Sequence, residues 1–219
     1  DRGASIDAAT NDNETPLHIA SRHGHESVVR LLLEKGASIG AATSFNQTPL
    51  HVAAWYGHES VVRLLLDRGA SIDAATNRNE TSLHVASQEG HEPIVRLLLD
   101  RGASIDSATH IDETPLHIAS REGHEPIVRL LLDRGASIDA ATGFDQTPLH
   151  IASQSGHESI VRLLLDRGAS IDSATNRGGS PLYVAAWYGH ESIVRLLLDR
   201  GASIDSATNR NETPLYIAS

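Results

Sequence analysis

Thr48-Pro-Leu-His-Val-Ala-Ala-Trp-Tyr-Gly-His-Glu-Ser-Val-Val-Arg-Leu-Leu-Leu-Asp-Arg-Gly-Ala-Ser-Ile72 reads as two helices, each with its own start and stop. Thr48 is of the type that caps a helix N-terminus through its hydroxyl, and Pro49 is pre-set for the first helical position. Leu50, Val52, Ala53 and Ala54 carry a short helix, and Gly57 stops it in the left-handed conformation. A second helix is predicted over about Glu59 to Arg68, with Val61, Val62, Leu64, Leu65 and Leu66 along it. That helix is apolar on most sides, so neighbours must cover both of its flanks. Gly69 closes it, and Ile72 to Thr76 lead into a turn rich in Asn, Asp and Gly. Glu59 stands four residues before Arg63, as Glu92 does before Arg96 and Glu125 before Arg129, the spacing of solvated ion pairs on an outer helix face.

The same stretch recurs along the chain with a period of 33. Its first block starts at Thr15, Thr48, Thr81, Thr114 and Thr147, then returns as Ser180-Pro181-Leu182-Tyr183 and Thr213-Pro214-Leu215-Tyr216. Ser82 takes the place of Pro in one copy. Gly-His-Glu follows at Gly24, Gly57, Gly90, Gly123, Gly156 and Gly189, and Gly-Ala-Ser-Ile begins at Gly3, Gly36, Gly69, Gly102, Gly135, Gly168 and Gly201. No single copy can bury its own Leu and Val residues, so stacking of copies must supply the core.

Period and blocks together resemble the ankyrin-repeat family, with its Thr-Pro-Leu-His signature. The resemblance implies an all-α solenoid of stacked helix-turn-helix units with projecting β-turn loops. It covers 1–219 as one domain, with six 33-residue repeats from 15 to 212 and partial repeats at 1–14 and 213–219. The first residues follow a second helix and the last fall inside a first helix, and neither end reads as a polar capping repeat. A monomer is expected, with end-to-end stacking open to such ends.

Composition narrows the function classes. No apolar run is long enough to span a bilayer, and no charged-then-apolar leader opens the chain, so a cytoplasmic protein without membrane contact is expected. There is no Cys, which removes disulfides, thiolate nucleophiles and Cys-based zinc sites. A formal net charge of −10 repels phosphate backbones, so no nucleic-acid partner is expected, and it favours encounter with a basic protein surface.

Thirteen His raise the question of metal or acid–base chemistry. Five belong to the Thr-Pro-Leu-His block (His18, His51, His84, His117, His150) and six to Gly-His-Glu (His25, His58, His91, His124, His157, His190). Catalytic groups are singular in their surroundings, whereas these return once per repeat and read as hydrogen-bonding ladders. Ser and Asp recur in the same way, and no phosphate-cradling Gly-rich loop appears. No enzyme activity, cofactor or metal is expected. Asn13, Asn46, Asn79 and Asn211 each begin an Asn-x-Thr sequence, which turn chemistry before a Thr cap generates by itself.

Positions shared by all repeats are explained by the scaffold; positions that change while their neighbours stay fixed are free for recognition. Two windows change. One is the turn before each Thr, containing Phe45, Arg78, His110, Ile111, Phe144 and Arg177. The other is the end of the first helix, containing Trp55 and Tyr56, Gln88 and Glu89, Arg121 and Glu122, Gln154, and Trp187 and Tyr188. Of the two Trp, two Phe and four Tyr, all but Tyr183 and Tyr216 fall in these windows. Large aromatics at scaffold-free positions are typical binding anchors. Phe45, Trp55 and Tyr56 are expected to form one cluster, and Phe144, Trp187 and Tyr188 another.

The family resemblance puts both windows on a concave binding surface and implies a protein–protein interaction module. The alternatives are a structural spacer, a sensor or targeting segment of a larger protein, or an engineered consensus-type scaffold. Near-identity of the repeats is accounted for equally by gene duplication and by design.

Overall fold

The computed structural model describes residues 5–205 and 208–209; the predicted block at Thr213–Tyr216, Asn211 and Gly3 lie outside them. Twelve α-helices and no strands occur among the described residues. The chain forms two compact halves, Asp1–His110 and Ile111–Ser219. The N-terminal half holds α1 (Pro16–Arg22), α2 (Glu26–Glu34), α3 (Pro49–Trp55), α4 (Glu59–Asp67), α5 (Ser82–Gln88) and α6 (Glu92–Asp100). The C-terminal half holds α7 (Pro115–Glu122), α8 (Glu125–Asp133), α9 (Pro148–Ser155), α10 (Glu158–Asp166), α11 (Pro181–Trp187) and α12 (Glu191–Asp199). In each half the helices pack in two rows. First helices stack on first helices (α1 on α3 on α5; α7 on α9 on α11), and second on second (α2 on α4 on α6; α8 on α10 on α12).

The core lies between the rows. Leu50 and Leu83 from the first helices meet Val61, Leu65, Ile94 and Leu98 from the second, all fully buried. In the other half Leu116, Leu149, Ile127, Leu131, Ile160 and Leu164 repeat the arrangement. Each such side chain contributes roughly 1.5–3 kcal/mol of burial. The outer face carries the anticipated pairs: Arg63 reaches Glu59 at 2.6 Å and Arg129 reaches Glu125 at 2.7 Å. Half-exposed pairs of this kind are worth a few tenths of a kcal/mol, so they do not hold the fold.

Histidine links one repeat to the next. At the start of α3 the imidazole of His51 takes the part that Glu or Gln plays in a capping box. Its Nδ1 accepts the Thr48 N–H at 3.1 Å and sits 2.9 Å from the Thr48 hydroxyl, while Nε2 donates to the Glu80 carbonyl at 3.1 Å. A carbonyl only accepts and a backbone N–H only donates, so both bonds need the neutral Nε2–H tautomer. His18 makes the same bridge between Thr15 and Gln47. In the C-terminal half His117 joins Thr114 to Gln146, and His150 joins Thr147 to Gly179.

The second histidine set works from the other side. Nε2 of His58 donates to the Arg22 carbonyl at 2.9 Å and that of His91 to the Trp55 carbonyl at 3.0 Å. His157 and His190 reach the carbonyls of Arg121 and Gln154 at 2.8 and 2.9 Å. These rings lie against the helix-stopping glycines. A Cβ on Gly57 would stand 2.8 Å from the His91 ring, and one on Gly123 2.7 Å from that of His157. Gly57 therefore serves twice, by its φ of +77° and by leaving room for the next repeat.

Burial pushes the pKa of His18 and His51 below the ordinary range, and lowers those of His84 and His150 to about 4. The bonds to carbonyls oppose burial without cancelling it, and the neighbouring ladder ring adds to the lowering at His51, His84 and His150. An unfolded chain protonates these rings near pH 6.5, whereas folded His84 and His150 stay neutral down to about pH 4. Stability is therefore complete above pH 6.5 and is lost as pH falls through this window. At pH 5.5 each of His84 and His150 costs roughly 1.4 kcal/mol. The expected result is a clear drop in melting temperature between pH 7.5 and pH 5.5; an unchanged value would refute the neutral ladder.

Three substitutions probe the packing. The hydroxyls of Ser21, Ser87, Ser120 and Ser153 are fully buried without a hydrogen-bond partner, at a place where α3 carries Ala54. Ser153→Ala is expected to raise unfolding free energy by about 1 kcal/mol in urea titration, because an unsatisfied buried hydroxyl is removed. Gly69 shares the left-handed conformation with φ +88° but has open space around it. Gly69→Ala should cost about 1–2 kcal/mol, the strain alone. Gly57→Ala should cost clearly more; equal losses would show that the His91–Gly57 contact contributes nothing.

Candidate functional site

Each turn before a first helix is built around a residue in the left-handed region. In the turn before α3 Asn46, with φ +60°, donates its N–H to the Thr43 carbonyl, and the Thr43 N–H donates to the Gln47 carbonyl. Asn13, Asn79, Asp112, Asp145 and Gly178 occupy the same place with positive φ. Asn, Asp and Gly are the residues that tolerate it, which explains their recurrence there. The amide Nδ2 of Asn46 also donates to the Ala75 carbonyl at 2.6 Å, and that of Asn79 to Ala108 at 2.7 Å. These two Asn-x-Thr amides are thus committed to the next turn.

The residue before each left-handed one is the most changeable in the sequence, and its backbone is pinned. In the N-terminal half Ser44 donates its N–H to the Asp12 carbonyl, Asn77 to Phe45 and His110 to Arg78, at 2.9–3.1 Å. In the C-terminal half Gly143 donates to Ile111, Asn176 to Phe144 and Asn209 to Arg177, at 3.0–3.2 Å. The second variable position, at the first-helix end, is pinned likewise by the histidines at Arg22, Trp55, Arg121 and Gln154. Main-chain atoms alone satisfy the neighbouring repeat here, so the side chain is released from folding duty.

Exposure follows. Phe45 is 66% exposed, Phe144 57%, Trp187 59% and Trp55 39%. Tyr56, Tyr188 and Ile111 are exposed as well, as are Arg78, His110, Glu122 and Arg177, while Gln88, Glu89, Arg121 and Gln154 are half-buried. Several polar members are already engaged. Arg121 is held by Glu113, as Arg22 is by Glu14, and Gln154 Nε2 donates to the Tyr188 hydroxyl at 3.1 Å. Gln88 Nε2 donates to Glu89, and the His110 ring turns back onto the Arg78 carbonyl. Twelve described arginines form ion pairs and Arg134 has an interaction of its own. Among the described arginines only Arg78 and Arg177 have an uncommitted guanidinium.

The C-terminal half gathers five of its variable residues into one groove of about 740 Å³, whose lining does not include Ile111, Arg121 or Glu122. Phe144 and Arg177 come from two successive turns, and Gln154, Trp187 and Tyr188 from the ends of α9 and α11. Tyr183, Val184 and Asn209 complete it, residues that the repeat comparison did not single out. Tyr183 stacks on Trp187 with centroids 6.1 Å apart. The signal for it was present as the replacement of a ladder His, coupled to Gly179 where other repeats carry Glu or Gln. A Cβ on Gly179 would approach the Tyr183 ring at 3.3 Å. In the N-terminal half Trp55 and Tyr56 line a smaller cleft of about 210 Å³ with Arg22, Gln47 and His51, and Phe45 is not part of its lining. Phe45 stands in the turn before α3, the helix that Trp55 ends, whereas Phe144 stands before α9 and Trp187 ends α11, and it is neighbouring first helices that the stacking brings together.

No group of three or more His, Asp or Glu among the described residues is arranged to hold a metal ion. No described helix is long and apolar enough to cross a membrane. A family model for ankyrin repeats matches residues 2–76, 71–142 and 138–208. No match is found among curated protein sequences. Among solved structures, the ankyrin repeat domain of human ASB11 is 28% identical, with 94% of this chain and 92% of that chain covered and a TM-score of 0.87. The ankyrin repeat domain of Bcl-3, a member of the IkappaB protein family, is 34% identical, with 95% and 96% covered and a TM-score of 0.83. With its 33-residue period, its histidine bridges and these matches, the chain belongs to the ankyrin-repeat family.

Proposed function

We propose that this chain is a non-catalytic protein-binding module that grips its partner through the turn tips and first-helix ends. The ankyrin repeat domain is a typical protein–protein interaction fold, and the choice of surface rests on one observation. Backbone bonds between repeats free the side chains at the two variable positions, and six of the aromatics sit exposed in these windows. Exposed aromatics of this kind supply large apolar area at low entropic cost, as binding hot spots do. The histidines, the chain's ready acid–base groups, are largely committed to scaffold bonds, which supports a role without chemistry. The overall negative charge favours approach to a basic partner surface.

Trp55→Ala combined with Trp187→Ala tests this reading on the partner recovered by affinity purification. Both side chains are exposed, so the melting temperature should stay within a degree or two while affinity falls at least tenfold. Unchanged affinity in the folded double variant would remove these residues from the interface.

A further inference from the structure

The groove of the C-terminal half differs from the rest of the surface in its charge. The chain carries 28 acidic against 18 basic residues, yet among the described residues no Asp or Glu lines this groove, and the one charged member is Arg177. Elsewhere arginines are neutralised from within: Glu14 holds Arg22 and Glu113 holds Arg121 from the last position of the preceding turn. In the groove the corresponding position is Gly179, so that turn delivers no acid to the end of α11. The glycine gives its space instead to the Tyr183 ring. Arg177 has no carboxylate partner among the described residues and lies beside the exposed faces of Phe144, Trp187 and Tyr188.

A guanidinium matches a carboxylate bidentately, and such a pair is stronger beside low-dielectric aromatic walls than in open water. The aromatic walls need apolar cover. Gln146, Asn176 and Asn209 add amides of the kind that bond an extended backbone. Small-ligand sites enclose most of their ligand, whereas Phe144, Trp187 and Tyr188 each remain more than half exposed, which suits a segment of a larger molecule. We propose that this groove holds an extended segment of a partner protein in which an Asp or Glu side chain, flanked by an apolar residue, pairs with Arg177. The proposal rests on the reading of the variable surface as the binding surface, and adds the chemistry of the bound segment. Overall charge governs approach, and Arg177 selects the anchor.

The test is selection of a random dodecapeptide display library on the full 219-residue chain, followed by titration of end-blocked synthetic winners. Enriched sequences should carry Asp or Glu next to an apolar residue, and replacing that acid by its amide should weaken binding about tenfold or more. Arg177→Gln should do the same, Arg177→Lys should weaken it less, and Arg78→Gln in the other half should leave it unchanged. Arg177, Arg78 and Trp187 are all exposed, and circular dichroism checks the fold of each variant. Winners that depend on Trp187 but ignore Arg177 and lack an acid would overturn this inference while leaving the binding surface standing. Winners indifferent to both Arg177→Gln and Trp187→Ala, or no winners at all, would overturn both. Dissociable dimers lost on Trp187→Ala would assign the groove to a second copy of the chain and overturn the partner-segment inference.

Discussion

The hydrogen bond from a histidine Nε2–H to a main-chain carbonyl of the neighbouring repeat is the contact on which the structure depends. It appears in two forms, His51 reaching forward to Glu80 and His91 reaching back to Trp55. Both join neighbouring repeats, and His51, whose Nδ1 also accepts the Thr48 N–H, must be neutral with a defined tautomer. Apolar burial supplies more free energy, but the hydrophobic effect is non-directional. A bond from ring nitrogen to carbonyl is not. It sets the register in which each Leu meets its neighbours, and the glycine beside the ring permits the approach.

Those bonds end on main chain, which has a functional consequence. A carbonyl accepts the same bond whatever side chain its residue bears, so positions 22, 55, 121 and 154 could diverge to Arg, Trp, Arg and Gln without loosening the stack. The turn residues Phe45, Arg78, Phe144 and Arg177 are fixed by the same device. The side chains proposed for recognition are therefore displayed from a backbone hydrogen-bonded to the neighbouring repeat. Such preorganisation lowers the entropy cost of binding.

Charge is divided between the two faces. The second helices spend their arginines on glutamates one turn back, which keeps the outer face soluble and internally neutral. The variable windows hold both states, Arg121 neutralised by Glu113 and Arg177 left open. Sequence inspection treats those two arginines alike, and only their surroundings tell them apart.

The sequence alone determined the repeat length, the paired helices, their caps and stops, and the two windows freed from the scaffold. All of these are local or periodic: a Thr-Pro start, a Gly stop and an apolar stripe act within a few residues of one another. Tertiary structure decided what was not periodic. It separated Phe45 from the Trp55–Tyr56 cleft, brought Phe144 and Arg177 beside Trp187, and recruited Tyr183, a residue that repeat comparison counts as a lapsed ladder position. The side-chain amides of Asn46 and Asn79 likewise proved to be ties between turns. The physical reason is that stacking makes neighbours of residues 33 or so apart. A groove is a property of two repeats in contact, and no single repeat contains it.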